Sequence, residues 1–173
     1  IINKINILNK KNISRIDLVK LFKKLYILEH SDNKTNYCYT LKGLDIRNIL
    51  MNKDNLIYLL DPGKLKLEPE MAGIARYLVT IELIYWGKIL FFFNFTLGND
   101  FKKSIMNGLG SLNLEEKELL NIFLIKEYLK HWLQAYHNID LKKWPNFFKD
   151  FNRKYYVDRF FLSRIEKLLK NYE

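Results

Sequence analysis

Glu115-Glu116-Lys117 has the Glu-x-Lys spacing of a metal-dependent nuclease site, and Asp100 lies upstream as a further carboxylate. That site needs its Glu and Lys on a strand. Here they follow Asn113 at the opening of a helical pattern, where Asn caps and acids favour the helix dipole. Glu127 and His131 share a helical face at i and i+4, but two ligands do not hold a zinc ion, and His137 points elsewhere. Cys38 is the one cysteine. It sits between Tyr37 and Tyr39 in an alternating stretch without a His close in sequence, so a catalytic thiol has no support. An internal disulfide framework and a multi-cysteine zinc site are excluded. Gly108 to Asn113, "GLGSLN", lacks the preceding strand and the lysine-hydroxyl pair of a phosphate-binding loop, and reads as a plain loop. The expectation is therefore a protein that is not an enzyme, with no catalytic residue, no metal and no cofactor.

The chemistry that remains is charge. The net charge is +10, and it is unevenly placed. Residues 1–54 hold eleven Lys and Arg against five acids, 55–140 hold nine against ten, and 141–173 hold nine against four. An abundance of Lys, Asn, Ile, Phe and Tyr with three alanines suggests an AT-rich coding sequence. Codon bias alone, however, would not leave the middle neutral and both ends basic. An acidic partner, nucleic acid or anionic lipid, fits that distribution. At the C-terminal end Lys142, Lys143, Lys149, Arg153, Lys154, Arg159 and Arg164 interleave with Trp144, Phe147, Phe148, Tyr155 and Tyr156. Cations neutralise phosphates and aromatic faces stack on unpaired bases, so the segment suits structured or single-stranded RNA, with Lys142, Lys143, Arg153, Lys154 and Arg159 as contacts. The plainer alternative is an amphipathic helix that closes the core with its aromatics inward.

Elements must position these groups. In "ISRIDLVKLFKKL" Ser14 caps, Asp17 completes a capping box, and Ile13 and Leu18 form a hydrophobic staple. Leu18, Leu21, Phe22 and Leu25 then share one face, with Lys20, Lys23 and Lys24 opposite. "YILEH" and "YCYTL" alternate as strands around the polar tip Ser31 to Asn36. Thr40 is placed to cap a following helix whose apolar positions include Leu44, Ile49 and Leu50.

This pattern, with "LKG" opening the last helix, resembles the winged-helix DNA-binding family over residues 13–51. The resemblance implies a recognition helix laid in the major groove of duplex DNA. Lys20, Lys23 and Lys24 would face the DNA, Arg15 would belong to the same basic set, and Lys34 of the wing would reach a phosphate. The departure from the family is upstream, where "IINKINILNKKN" has room for at most one of the two helices expected there.

Downstream, Asp61-Pro62-Gly63 marks a turn, "KLKL" a short strand, and Pro69 the start of a helix. The apolar run from Met71 to Leu97 contains Arg76, Glu82 and Lys88 at six-residue intervals. Such spacing leaves no charge-free side for lipid, so a buried helix broken near Gly87 is expected in place of a membrane span. By analogy with winged-helix proteins, residues 71–97 would also be the dimer contact.

The fold class expected is mainly α with a small β-hairpin, that is α+β. A winged-helix-like basic unit over 1–54 would precede a helical domain over 55–173. The function expected is nucleic-acid binding, as a DNA-binding regulator. The alternatives are a structural RNA-contacting subunit of a large assembly such as an organellar ribosome, and an accessory subunit of a membrane complex. The chain starts with Ile1 without a signal-like segment. That suits an intracellular protein, in the cytoplasm or an organellar matrix.

Overall fold

A computed structural model describes residues 26, 36–41, 48–61, 63–86 and 95–169. Alternation of aromatic and β-branched side chains makes "YCYTL" a strand, β1 (Tyr37–Leu41). Its partner is β4 (Leu65–Pro69), antiparallel, with Cys38 opposite Glu68 and Leu41 opposite Leu65. Between them lies a second antiparallel pair, β2 (Ile49–Met51) with β3 (Ile57–Leu59). The turn of this inner hairpin follows from its asparagines. Asn52 Oδ1 accepts from the backbone N–H of Asp54 and Leu56, both at 2.9 Å. Asn55 takes φ of 61°, which Asn tolerates better than most residues.

Five α-helices and a π-helical stretch follow among the described residues: α1 (Glu70–Trp86), α2 (Phe95–Gly108), α3 (Leu114–Asp140), α4 (Asn146–Asn152), the π-helical Arg153–Asp158, and α5 (Arg159–Leu169). The fold is mainly α with a small β component, an α+β fold as the sequence predicts. Asn113 caps α3 through a reciprocal box: the Glu116 N–H donates to Asn113 Oδ1, and the Asn113 N–H donates to Glu116 Oε2. Among the described residues no helix is long and apolar enough to cross a membrane.

The chain divides into two compact units, 34–127 and 1–33 with 128–173. The boundary expected at residue 54 falls inside the turn between the paired strands β2 and β3. In the 34–127 unit Met71, Ala72, Ala75, Leu78, Leu112, Leu120 and Phe123 form the core. In the other unit Trp132 of α3 stacks on Phe161 of α5 at 6.0 Å, and Tyr128 meets the same ring edge-on.

Three local expectations are corrected. Tyr26 is helical, although "YILEH" reads as a strand from that residue. "YCYTL" is a strand, but its pairing partner is β4, drawn from a distant segment. Ile49 and Leu50 lie in a strand, not a helix, because pairing with Ile57–Leu59 overrides a weak local helical pattern. Thr40 lies within β1, and its hydroxyl donates to Glu68 across the ribbon.

Candidate functional site

The nesting of one antiparallel pair inside another fixes a site. β1 leads into β2 and β3 leads into β4, and the registers place Leu41 opposite Leu65 and Ile49 opposite Leu59. Asn48, just before β2, is held against Asp61, just after β3. The Leu60 N–H donates to the Asn48 carbonyl at 2.9 Å, and Asn48 Nδ2 donates to the Asp61 carbonyl at 3.3 Å. Gly63 completes the bend with φ of 64°, a conformation that a side chain would strain. Asp61 is exposed. The two residues are thus neighbours through the backbone, and their side chains carry an amide oxygen and a carboxylate, hard oxygen donors of the kind magnesium takes.

Among the described residues no three of His, Cys, Asp and Glu gather around a common point. That is no obstacle for magnesium, which keeps its waters and is held by one or two carboxylates together with substrate phosphates. The donor set of Asn48 and Asp61 fits a magnesium ion bound in that shared way.

The ribbon that carries this corner is locked to α1 through its polar face. Cys38, Thr40, Lys66 and Glu68 share one side, while Tyr37, Tyr39, Leu65 and Leu67 share the other. The polar side is the inner one. The Glu68 side chain is 5% exposed and accepts from Lys66 Nζ at 2.8 Å, from Arg76 Nη2 of α1 at 2.5 Å, and from the Thr40 hydroxyl. Burial by itself would raise its pKa, but the bonds from Lys66, Thr40 and Arg76 outweigh burial and hold it at about 2. Gly73 lets α1 approach: a Cβ there would stand 2.8 Å from Thr40 Cγ2.

Arg76 and Glu82 of the apolar run are engaged inside the protein. Arg76 binds Glu68, and Glu82 accepts from Lys102 of α2 at 2.7 Å. Met71, Ala72, Ala75, Leu78, Val79 and Ile81 are buried within the chain, so that part of the expected dimer contact is already covered. Residues 87–94, with Lys88, lie outside the described residues.

Of the expected nucleic-acid contacts, Arg15, Lys20, Lys23, Lys24 and Lys34 lie outside the described residues. Lys142, Lys143, Lys154 and Arg159 are exposed. Arg153 is not a surface contact: it is 9% exposed, and its guanidinium binds Asp140 and Asp150 and lies over the Tyr136 ring at 5.4 Å. Arg153 opens the π-helical stretch, and it shares the buried side of that stretch with Val157 four residues on. Asp158, at the end of that turn, accepts from Trp132 Nε1 at 2.9 Å and from the Tyr136 hydroxyl at 2.5 Å. Burial, with the Asp158 carboxylate beside it, pushes the Tyr136 phenol well above its ordinary range.

Asn48 and Asp61 are the residues that sequence reasoning missed. Their signal was an Asn directly before one short apolar run and an Asp-Pro-Gly directly after the next, with "NKDN" between as hairpin turn. Read locally, each was only a turn or a helix position. The chain matches no protein-family profile, no curated protein and no solved structure.

Proposed function

We propose that the 34–127 unit binds a Mg²⁺-nucleotide, with Asn48 and Asp61 as the protein's ligands to the metal. The observation that carries this reading is the corner where the nested hairpins hold Asn48 beside Asp61. Protein kinases hold their magnesium ions with the Asn that ends the catalytic loop and the Asp of a following Asp-Phe-Gly, and here Asn48 and Asp61-Pro62-Gly63 stand in that chain order. The parallel is one of arrangement, an analogy drawn at the site. In such a site the metal bridges and neutralises phosphate oxygens. Asp61 supplies the negative charge that holds the cation, Asn48 supplies a neutral oxygen, and their shared hydrogen bond keeps the two together.

The chain departs from the kinase pattern in two places. In kinases the proton of the substrate hydroxyl goes to an Asp five residues before that Asn. Here Gly43 holds that position, and Asp45 stands three residues before Asn48. No glycine precedes Gly43, so a Gly-rich loop over the phosphates is not among residues 1–42. The function proposed is therefore nucleotide binding, with the chain acting on the phosphate end.

Calorimetric titration of the full chain with ATP tests this. Heat of binding is expected with Mg²⁺ and not with excess EDTA. Asp61→Asn removes one charge from an exposed position and should weaken binding at least tenfold with an unchanged melting temperature. Binding that is indifferent to Mg²⁺, or that survives Asp61→Asn, would overturn the proposal.

A further inference from the structure

The stretch from Leu141 to Arg159 is folded inside out. α4 contains Phe147, Phe148 and Phe151 and buries none of its residues, whereas the charged Arg153 that follows is buried. Leu141, Trp144, Phe147, Phe148, Phe151, Tyr155 and Tyr156 are all exposed, Phe147 by 74%. Their rings lie against one another on the surface: Trp144 meets Phe148 at 5.2 Å, Phe147 meets Phe148 at 6.4 Å, and Phe151 meets Tyr155 at 4.8 Å. Beside them Lys142, Lys143, Lys154 and Arg159 are exposed. The stretch contains two acids, and both are engaged by the protein itself. Asp150 pairs with Arg153, and Asp158 accepts from Trp132 and Tyr136.

Two exposed ring clusters this near in sequence mark an interaction surface, and the cations among them ask for an anionic partner. RNA and a lipid surface both carry that charge. Unpaired bases need ring faces that stand open for stacking, and these rings already turn edges and faces to each other. Leu141 and Phe147, with no polar atom in the side chain, gain by entering an apolar medium. An interfacial helix with Trp, Phe and Leu on one side and Lys and Arg beside them rests at the boundary of headgroups and acyl chains. We propose that the 141–159 face docks the protein on an anionic bilayer surface, the rings entering the interface and Lys142, Lys143, Lys154 and Arg159 meeting headgroup phosphates and carboxylates. This goes beyond the nucleotide reading and uses none of its residues.

Co-sedimentation of the full chain with vesicles decides it. Binding is expected to phosphatidylcholine vesicles containing about one-third phosphatidylserine, to fall with added salt, and to be weak on phosphatidylcholine alone. Each basic residue near such a surface contributes about fivefold, so Lys142→Ala with Lys143→Ala should weaken binding roughly 30-fold. Phe147→Ser with Phe151→Ser leaves the charge unchanged and should also weaken binding at least tenfold, with the far-ultraviolet circular dichroism of the parent. Three results would overturn the proposal: vesicle binding unchanged in both variants, binding to single-stranded poly(U) with none to anionic vesicles, or ring clusters masked by self-association that Phe147→Ser abolishes.

Discussion

Replacing Glu68 by Gln should destabilise the protein strongly at neutral pH and hardly at all in acid. The carboxylate lies almost out of water between Lys66, Thr40 and Arg76, and its pKa is lowered from 4.5 to about 2. Each unit of such a shift corresponds to about 1.4 kcal/mol, so the ionised form contributes about 3 kcal/mol. The side chain of Lys66 is 58% exposed, and solvent screens its share, which makes that figure an upper bound. Because the folded pKa lies below the unfolded one, the contribution is complete above about pH 4.5 and disappears as pH falls towards 2. A protonated Glu68 has nearly the shape of Gln. The difference in unfolding free energy between the native protein and Glu68→Gln should thus be about 2 to 3 kcal/mol at pH 7 and should close between pH 4.5 and 2. Urea unfolding of both proteins across that range measures it, and the other carboxylates cancel in the difference. A gap that stays constant from pH 7 to pH 3 would refute the assignment of the stability to the Glu68 charge.

Two further outcomes follow from contacts on α1 and in the C-terminal segment. Gly73→Ala should lower stability by about 1 to 3 kcal/mol through its clash with Thr40, despite the better helix propensity of Ala, and Thr40→Ser, which removes Cγ2 and keeps the hydroxyl, should restore it in the double variant. Arg153→Lys keeps the charge but cannot fork between Asp140 and Asp150; a loss of about 1 to 2 kcal/mol in chemical denaturation is expected, with unchanged vesicle binding, because this cation faces inward.

What the sequence disclosed was local. Asn113 and Glu116 are three residues apart, so the cap of α3 could be read directly. The spacing of Arg76 and Glu82 in an apolar run likewise pointed to a buried helix, although their partners Glu68 and Lys102 could not be named, since nothing local links them. The hidden features depend on pairing between strands. β1 finds β4 across more than twenty residues, and the β2–β3 pairing inside that span makes neighbours of Asn48 and Asp61. Arg153 deceived for a different reason. It lies in a basic, aromatic segment like its exposed neighbours, and the partners that draw it inward, Asp140 and Tyr136, stand on a different helix.

The reversed polarity of the β1–β4 ribbon bears on how the protein fails. Most ribbons hide their apolar side and hide it still when charges on the surface titrate. This one holds its place by the ion cluster beneath it, while Tyr37, Tyr39, Leu65 and Leu67 already face outward. Acid that neutralises Glu68 loosens the ribbon from its helix and frees a strand pair that is apolar and rich in β-formers, the kind of edge on which other chains assemble. Loss of the protein in acid should accordingly take the form of intermolecular β-sheet growth, with a rate that climbs with protein concentration, before the helices themselves have melted.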